Sequence, residues 1–367
     1  MIFEAQLAVP TPENERRTIH DCVEQAVLAE QVGFDRVWAV EHHCLSQYAH
    51  MSAPEVFLSY VAARTSRIRI GHGVVCLPFR YNHPIRVAER IAMLDVLSGG
   101  RVDFGAGRGA TDQELGAFGI GREETQAQLE EALRMIPRIW REDPFEWAGP
   151  LIQVPPRTVV PRPVQQPHPP MYLACTRHET LGLAGRLGLG ALCLGFAGPE
   201  DVAAKRAAYD RAAASRSPSE VVGEQPCHHL SALCPAMVLD DAEAARRIGL
   251  KGQRFFTEAI NHWYGGGPAP RVDTDEEAND EVLRRRGQKL SAWLHEERIE
   301  VGTEATGLYN PNHAYGSASE ARDYVGRLIE AGADEVMFLM QMGTVPQEAI
   351  LESIRNIGEK VIPEFPA

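Results

Sequence analysis

Residues 33–43 read Gly33-Phe34-Asp35-Arg36-Val37-Trp38-Ala39-Val40-Glu41-His42-His43. The stretch from Phe34 to Val40 has the length and apolar character of a buried strand, and an acid and two histidines close it without a gap. Before it, residues 13–32 place Ile19, Val23, Ala26 and Val27 at helical spacing and stop against Gly33. A helix, a glycine and a buried strand ending in acid–base groups form one unit of an α/β protein.

Outward from this unit the alternation continues. Residues 2–9 are the expected first strand, 54–65 a helix, 68–77 the third strand, 84–97 a helix stopped by Gly99 and Gly100, and 101–106 the fourth strand. Residues 123–141 read as a long helix that Pro137 is expected to kink. A proline-rich interruption covers 143–170, with a small hairpin expected over 145–154. The remaining strands are 171–175, 190–194, 228–239 and 334–340, separated by helical stretches. A second insertion, polar and glycine-rich, spans about 264–316. Alternating strands and helices imply a parallel sheet, and eight units imply a closed (β/α)8 TIM barrel. Such a barrel takes about 250 residues. The 367 here leave room for one domain, residues 1–367, with both insertions.

Composition narrows the partners. A formal charge of −13 argues against nucleic acid, whose phosphates an acidic chain repels. No apolar run of about 18 residues suggests a membrane span. Residues 1–9 precede Pro10 and Pro12 and carry no basic region or cleavage site, so they read as a strand and not as a signal peptide. Seven scattered cysteines, an odd number in a large chain, are expected to be reduced thiols of a cytoplasmic protein.

Barrel active sites lie at the C-terminal ends of the strands. The second strand delivers Glu41, His42 and His43 there; an imidazole oriented by a carboxylate is an acid–base group near neutral pH. Neighbouring side chains on a strand point to opposite faces, so His42 and His43 do not readily share a metal ion, and no metal site is expected. The third strand ends in small residues and Cys76, which reads as packing. The fourth ends Gly105-Ala106-Gly107-Arg108-Gly109, where glycines admit a ligand close to the backbone and Arg108 offers a fork to phosphate. The fifth ends Cys175-Thr176-Arg177-His178-Glu179-Thr180 before a helix, whose free N–H groups suit an anion. Taken singly, these also read as a polar strand end, a glycine turn and an ordinary helix cap. Cys227-His228-His229 with Cys234 lacks a metal-ligand spacing and reads as a buried strand.

Taken together, the strand ends resemble the bacterial-luciferase-like flavin-dependent monooxygenases. The resemblance rests on residues 33–43, on the segment from Gly71 to His83-Pro84, on Leu94-Asp95-Val96-Leu97-Ser98-Gly99-Gly100-Arg101-Val102-Asp103-Phe104-Gly105, and on Ala331-Gly332-Ala333-Asp334-Glu335-Val336. It runs in order over 1–200 and 317–362 and is weak over 220–316. It implies a barrel, usually dimeric, that takes reduced FMN from a separate flavin reductase. The flavin reacts with O2 at its C4a carbon and oxygenates a small organic substrate. By the same resemblance His42 is the acid–base residue. Glu41, Cys76, Arg108, Cys175, Thr176, Arg177 and Thr180 surround the cofactor, with the phosphate on Arg108 and the residues after the fifth strand. A non-proline cis peptide is expected near Val75-Cys76-Leu77. The family's cysteine position is Gly107 here, and the serine-rich stretch after the fifth strand is absent. Two other readings stay open: an F420-dependent hydride-transfer dehydrogenase, as some relatives are, and a non-catalytic flavin-binding subunit. Both insertions are expected to cover the substrate.

Overall fold

The structure, a computed structural model, describes residues 1–176, 178–193, 198–272, 310 and 312–365. Arg177, Leu194 and most of the second insertion lie outside the described residues. In chain order the barrel opens with β1 (Ile2–Phe3), α1 (Pro12–Gln31), β2 (Arg36–Ala39), α2 (Pro54–Arg64), β3 (Arg69–Cys76), α3 (Pro84–Ser98) and β4 (Val102–Gly107). Next come α4 (Asp112–Ala117), α5 (Thr125–Arg141) and the hairpin strands β5 (Phe145–Ala148) and β6 (Gln153–Arg157). Then follow β7 (Met171–Cys175), α6 (His178–Leu187), β8 (Gly190–Cys193), α7 (Pro199–Ala214), β9 (Leu230–Val238) and α8 (Ala242–Gly265). The chain closes with β10 (Ala314–Gly316), α9 (Ala318–Glu330), β11 (Glu335–Leu339) and α10 (Gln347–Lys360).

Strands β1, β2, β3, β4, β7, β8 and β9 pair in that order, all parallel. β11 pairs with β9 and returns beside β1, which closes the (β/α)8 barrel. Helices start where the sequence supplies caps. Thr11 Oγ1 accepts the Asn14 amide at 3.2 Å, with Pro12 in the first turn of α1. Ser317 and Glu320 form a capping box on α9. Every residue of β4 and β9 is buried, as the strands of a helix-covered parallel sheet require. Gly71 is obligatory here: a Cβ would stand 2.2 Å from the buried Trp38 ring.

The structure corrects several expectations. The first strand pairs only over Ile2–Phe3, because Ala5 takes a left-handed φ of 50° and turns the chain out of the sheet. The non-proline cis peptide lies at Gly73–Val74, ahead of the expected position. α4 was not foreseen. Residues 143–170 do not cover the mouth: Gln165 Nε2 donates to Val102 O at 2.8 Å, at the start of β4, and Asp95 accepts the Val164 and Gln165 amides. A connection that follows a descending helix arrives at the strand starts, so this insertion sits at the N-terminal end of the barrel.

That end buries a network of charge. Arg36 meets Asp103 at 2.7 Å and Glu335 at 2.9 Å, and Arg69 meets Asp103 at 2.7 Å. Glu335 also accepts from Trp38 Nε1 at 2.9 Å and Ser231 Oγ at 2.7 Å, with His229 Nε2 at 3.2 Å. Burial alone would raise the Glu335 pKa; the bonds from His229, Arg36, Ser231 and Trp38 reverse this and hold it below the carboxylate range. Removing one partner of a buried pair strands the other, at about 3–5 kcal/mol. Glu335→Ala should therefore lose about 3 kcal/mol or more in equilibrium urea unfolding. A loss under about 1 kcal/mol would show that the network contributes little.

Candidate active site

The C-terminal mouth is assembled from strand ends far apart in sequence. β2 runs out through Val40 into Glu41, His42 and His43. His42 Nδ1 lies 2.9 Å from Glu114 Oε1. The same oxygen accepts the His43 amide at 3.0 Å, and Glu114 Oε2 accepts the Thr111 amide at 3.0 Å and Thr111 Oγ1 at 2.8 Å. Glu114 is 1% exposed, so its charge is met entirely by these donors. Burial would raise its pKa, but His42 and the hydrogen bonds from His43 and Thr111 override that and lower it. Burial would lower the His42 pKa, but Glu114, with Glu4 and Glu41 beyond it, raises it. Each partner thus favours the charged form of the other. Nδ1–H donates to Glu114, which leaves Nε2 without a hydrogen-bond partner among the described residues.

The remaining expected residues divide by role. Glu41 Oε2 accepts the Cys76 amide at 2.7 Å, its Oε1 accepts from Asn82 Nδ2 at 2.9 Å and lies 3.0 Å from His43 Nε2. Glu41 therefore fastens the end of β3 to the end of β2. His43 stacks on Tyr81, ring centroids 5.4 Å apart, and is turned away from His42's task. Cys76 and Cys175 are buried, and burial pushes both thiols well above their ordinary pKa, which keeps them unreactive. Thr180, in the first turn of α6, is buried and bonded to Cys175. Thr176 is half-buried just before α6, and Arg108 is half-buried just past β4. His228 and His229 diverge to Asp210 and Glu335, and among the described residues no cluster of three potential metal ligands occurs.

Three contributors were missed in the sequence: Glu114, Asn82 and Tyr48. Glu114 had a signal. Thr111-Asp112-Gln113-Glu114 is the S/T-x-x-E pattern of a helix start, and the structure shows the full capping box.

The floor beside this dyad is backbone and small side chains. A Cβ on Gly107 would stand 2.4 Å from Val74, with Ala174 Cβ 3.8 Å away. Gly105 and Gly107 thus let β3 and β4 pack closely at the strand ends, next to Arg108. α8 overhangs the mouth, where Phe256 meets Tyr48 at a centroid distance of 5.7 Å.

A (β/α)8 barrel with an acid-flanked histidine and a glycine floor at its C-terminal mouth defines the class. Comparison narrows it: the luciferase-like monooxygenase family matches residues 2–335, and the chain belongs to that family. The protein y4vJ of Sinorhizobium fredii is 27% identical over 94% of this chain and 91% of its own length. The oxygenase component of a flavin-dependent trigonelline monooxygenase from Acinetobacter baylyi is 33% identical over 47% of this chain and 48% of that one. An F420-dependent glucose-6-phosphate dehydrogenase of Amycolatopsis mediterranei is 35% identical over 49% of this chain and 55% of that one. The last two thus match this chain over about half their length. Monooxygenase RslO1 from Streptomyces bottropensis has the same fold, with a TM-score of 0.74 at 25% identity over 99% of this chain and 98% of that one.

The dyad makes a direct prediction. Glu114→Gln removes the carboxylate that opposes burial, so the His42 midpoint should fall from above the ordinary value of about 6.5 to below it. NMR titration of the His42 ring reads this, and an unmoved midpoint would dissolve the dyad. The sign for stability follows. His42 has a raised folded pKa, so its contribution is complete below its unfolded pKa and is lost as pH rises through the folded value. The lowered Glu114 pKa acts in reverse, its contribution fading as pH falls.

Proposed function

We propose that the chain is the oxygenase component of a two-component flavin-dependent monooxygenase, which takes reduced FMN from a separate reductase and transfers an oxygen atom from O2 to a small organic substrate. The observation that carries this reading is the buried His42–Glu114 dyad at the C-terminal mouth, the face at which β4 also ends in Gly107-Arg108. Reduced FMN, when bound, supplies the electrons that activate oxygen. The chain's residues do the rest. Arg108, Thr176, Arg177 and Thr180 hold the phosphate; Gly105 to Gly107 and the end of β3 support the ring; the buried mouth excludes water. His42, fixed through Nδ1, holds and returns a proton at Nε2. Cys76, Cys175 and Glu41 belong to the wall that shapes the pocket and do not act as nucleophiles. The similarity to the Acinetobacter oxygenase component supports the oxygenase assignment.

The second reading is hydride transfer with F420, which the Amycolatopsis relative favours. Mixing the protein with reduced FMN and oxygen in a stopped-flow spectrometer separates the two. The oxygenase reading expects the protein to change the lifetime of reduced FMN. Reduced FMN that oxidises as in buffer, together with tight F420 binding, would overturn it. His42→Ala should retain FMN binding and lose about 10²–10⁴-fold in turnover, the span of an acid–base residue.

We also propose a homodimer. Val56 and Tyr60 on α2 and Met93, Val96 and Leu97 on α3 are exposed apolar residues on two helices that pack together. Leu97→Asp should convert a dimer to a monomer in sedimentation velocity; a wild-type monomer would exclude it.

A further inference from the structure

Loops at a barrel mouth move unless something holds them. The loop after β3, residues 77–83, is held by a row of side chains that runs inward from the outer helices. Glu55, in the first turn of α2, meets Arg90 of α3 at 2.5 Å, and both are half-buried. The other terminal nitrogen of Arg90 donates to Asn82 Oδ1. Asn82 Nδ2 donates to Glu41 Oε1 at 2.9 Å, to Glu41 Oε2 at 3.2 Å and to Cys76 O at 2.9 Å. Glu41 Oε2 accepts the Cys76 amide at 2.7 Å, so one carboxylate and one amide side chain together grip both backbone groups of Cys76, the last residue of β3. Asn82 and Glu41 are both buried.

The donors and acceptors allow one orientation of the Asn82 amide. A guanidinium only donates; a carboxylate and a backbone carbonyl only accept. The side chain between them must accept on one face and donate on the other. Arg90 therefore draws Oδ1 toward α3 and leaves Nδ2 for Glu41 and Cys76 O. A turned amide would set oxygen against carboxylate and NH2 against guanidinium. The small cavity between α2, α3 and β3 is lined in part by Glu41, Glu55, His72, Asn82 and Arg90. His72 is buried there, and burial, then Arg90, lower its pKa to about 3, so it adds no charge to the row.

We propose that Asn82 is a positioning residue of the active site, oriented by Arg90, which holds Glu41 and the end of β3 in the geometry that receives the flavin. The inference rests on the reading above that the end of β3 supports the flavin ring, and it holds for FMN and F420 alike. Among the described residues neither Asn82 nor Arg90 bonds to His42, so the effect falls on binding and not on the proton step.

Asn82→Leu keeps the approximate shape, changes no charge and removes both sets of bonds. In the protein alone, amide hydrogen exchange at Cys76 should run about tenfold faster, the worth of one hydrogen bond to a charged group. Leu77, whose amide donates to Gly107 O at 2.8 Å, should keep its wild-type rate. An unmoved Cys76, or equal acceleration at both amides, which is simple fraying of β3, would overturn the proposal. Calorimetric titration without oxygen, with reduced FMN and with F420, shows which flavin the wild type binds. For that flavin Asn82→Leu should raise the dissociation constant about tenfold, with turnover at saturating flavin retained. A constant within about twofold of wild type, less than one such bond is worth, would also overturn it. If Asn82→Leu does not fold, Arg90 decides. Arg90→Met should reproduce both losses, and Arg90→Lys, which keeps a donor-only cation, should recover them to within about threefold. An Arg90→Met that matches wild type ends the proposal. A wild type that binds only F420 removes the oxygenase reading and leaves this one. A wild type that binds FMN beside an unchanged Asn82→Leu does the reverse, and binding of neither flavin removes both.

Discussion

A charge taken out of water must be met by partners where it lands, or it will not stay charged. This barrel buries charge at both ends and solves the problem differently at each. At the N-terminal end, Asp103 and Glu335 are answered by two arginines, His229, Ser231 and Trp38, a set that favours the ionised form of Glu335. At the mouth, the acids answer a histidine. Glu114 is locked by His42, the His43 amide and Thr111, and Glu4 is bonded to Gln6 and Tyr48, both neutral. Arginine does not give up a proton near neutral pH; imidazole does. One end is therefore a fixed anchor, and the other is able to change its protonation.

The core of the fold was legible because its periodicity is strong. The runs at 171–175 and 334–340 are short, apolar and bounded by glycine or proline, and they became β7 and β11 with nearly the same limits. What was hidden depended on geometry that a linear pattern does not carry. Residues 2–9 look like one strand, and only the left-handed turn at Ala5 reveals that half of them pair elsewhere. The site was legible in its sequence-adjacent part, Glu41-His42-His43. Its decisive partner, Glu114, lies 72 residues away on a helix of six residues, too short to show periodicity.

The two insertions illustrate how a barrel separates stability from function. Residues 143–170 join a helix to a strand start, so they fasten the N-terminal end through Asp95, Glu131 and Gln165. The segment after β9 leaves from a strand end, and α8 carries Phe256 and Tyr264 toward the mouth. Position in the strand–helix alternation, more than composition, decides which face an insertion serves.

The seam between β1 and β11 is finished by side chains. The Gln341 amide group accepts from Gln6 N at 2.6 Å and donates to Gln6 O at 2.7 Å, in imitation of a missing strand residue, across 335 positions of sequence. During synthesis, then, the outer edge of β1 is made some 335 residues before the side chain that covers it. An open sheet edge is a template for pairing with other chains. The nascent N-terminal half is thus the aggregation-exposed state of this protein, and its hazard ends only when the last strand and Gln341 dock.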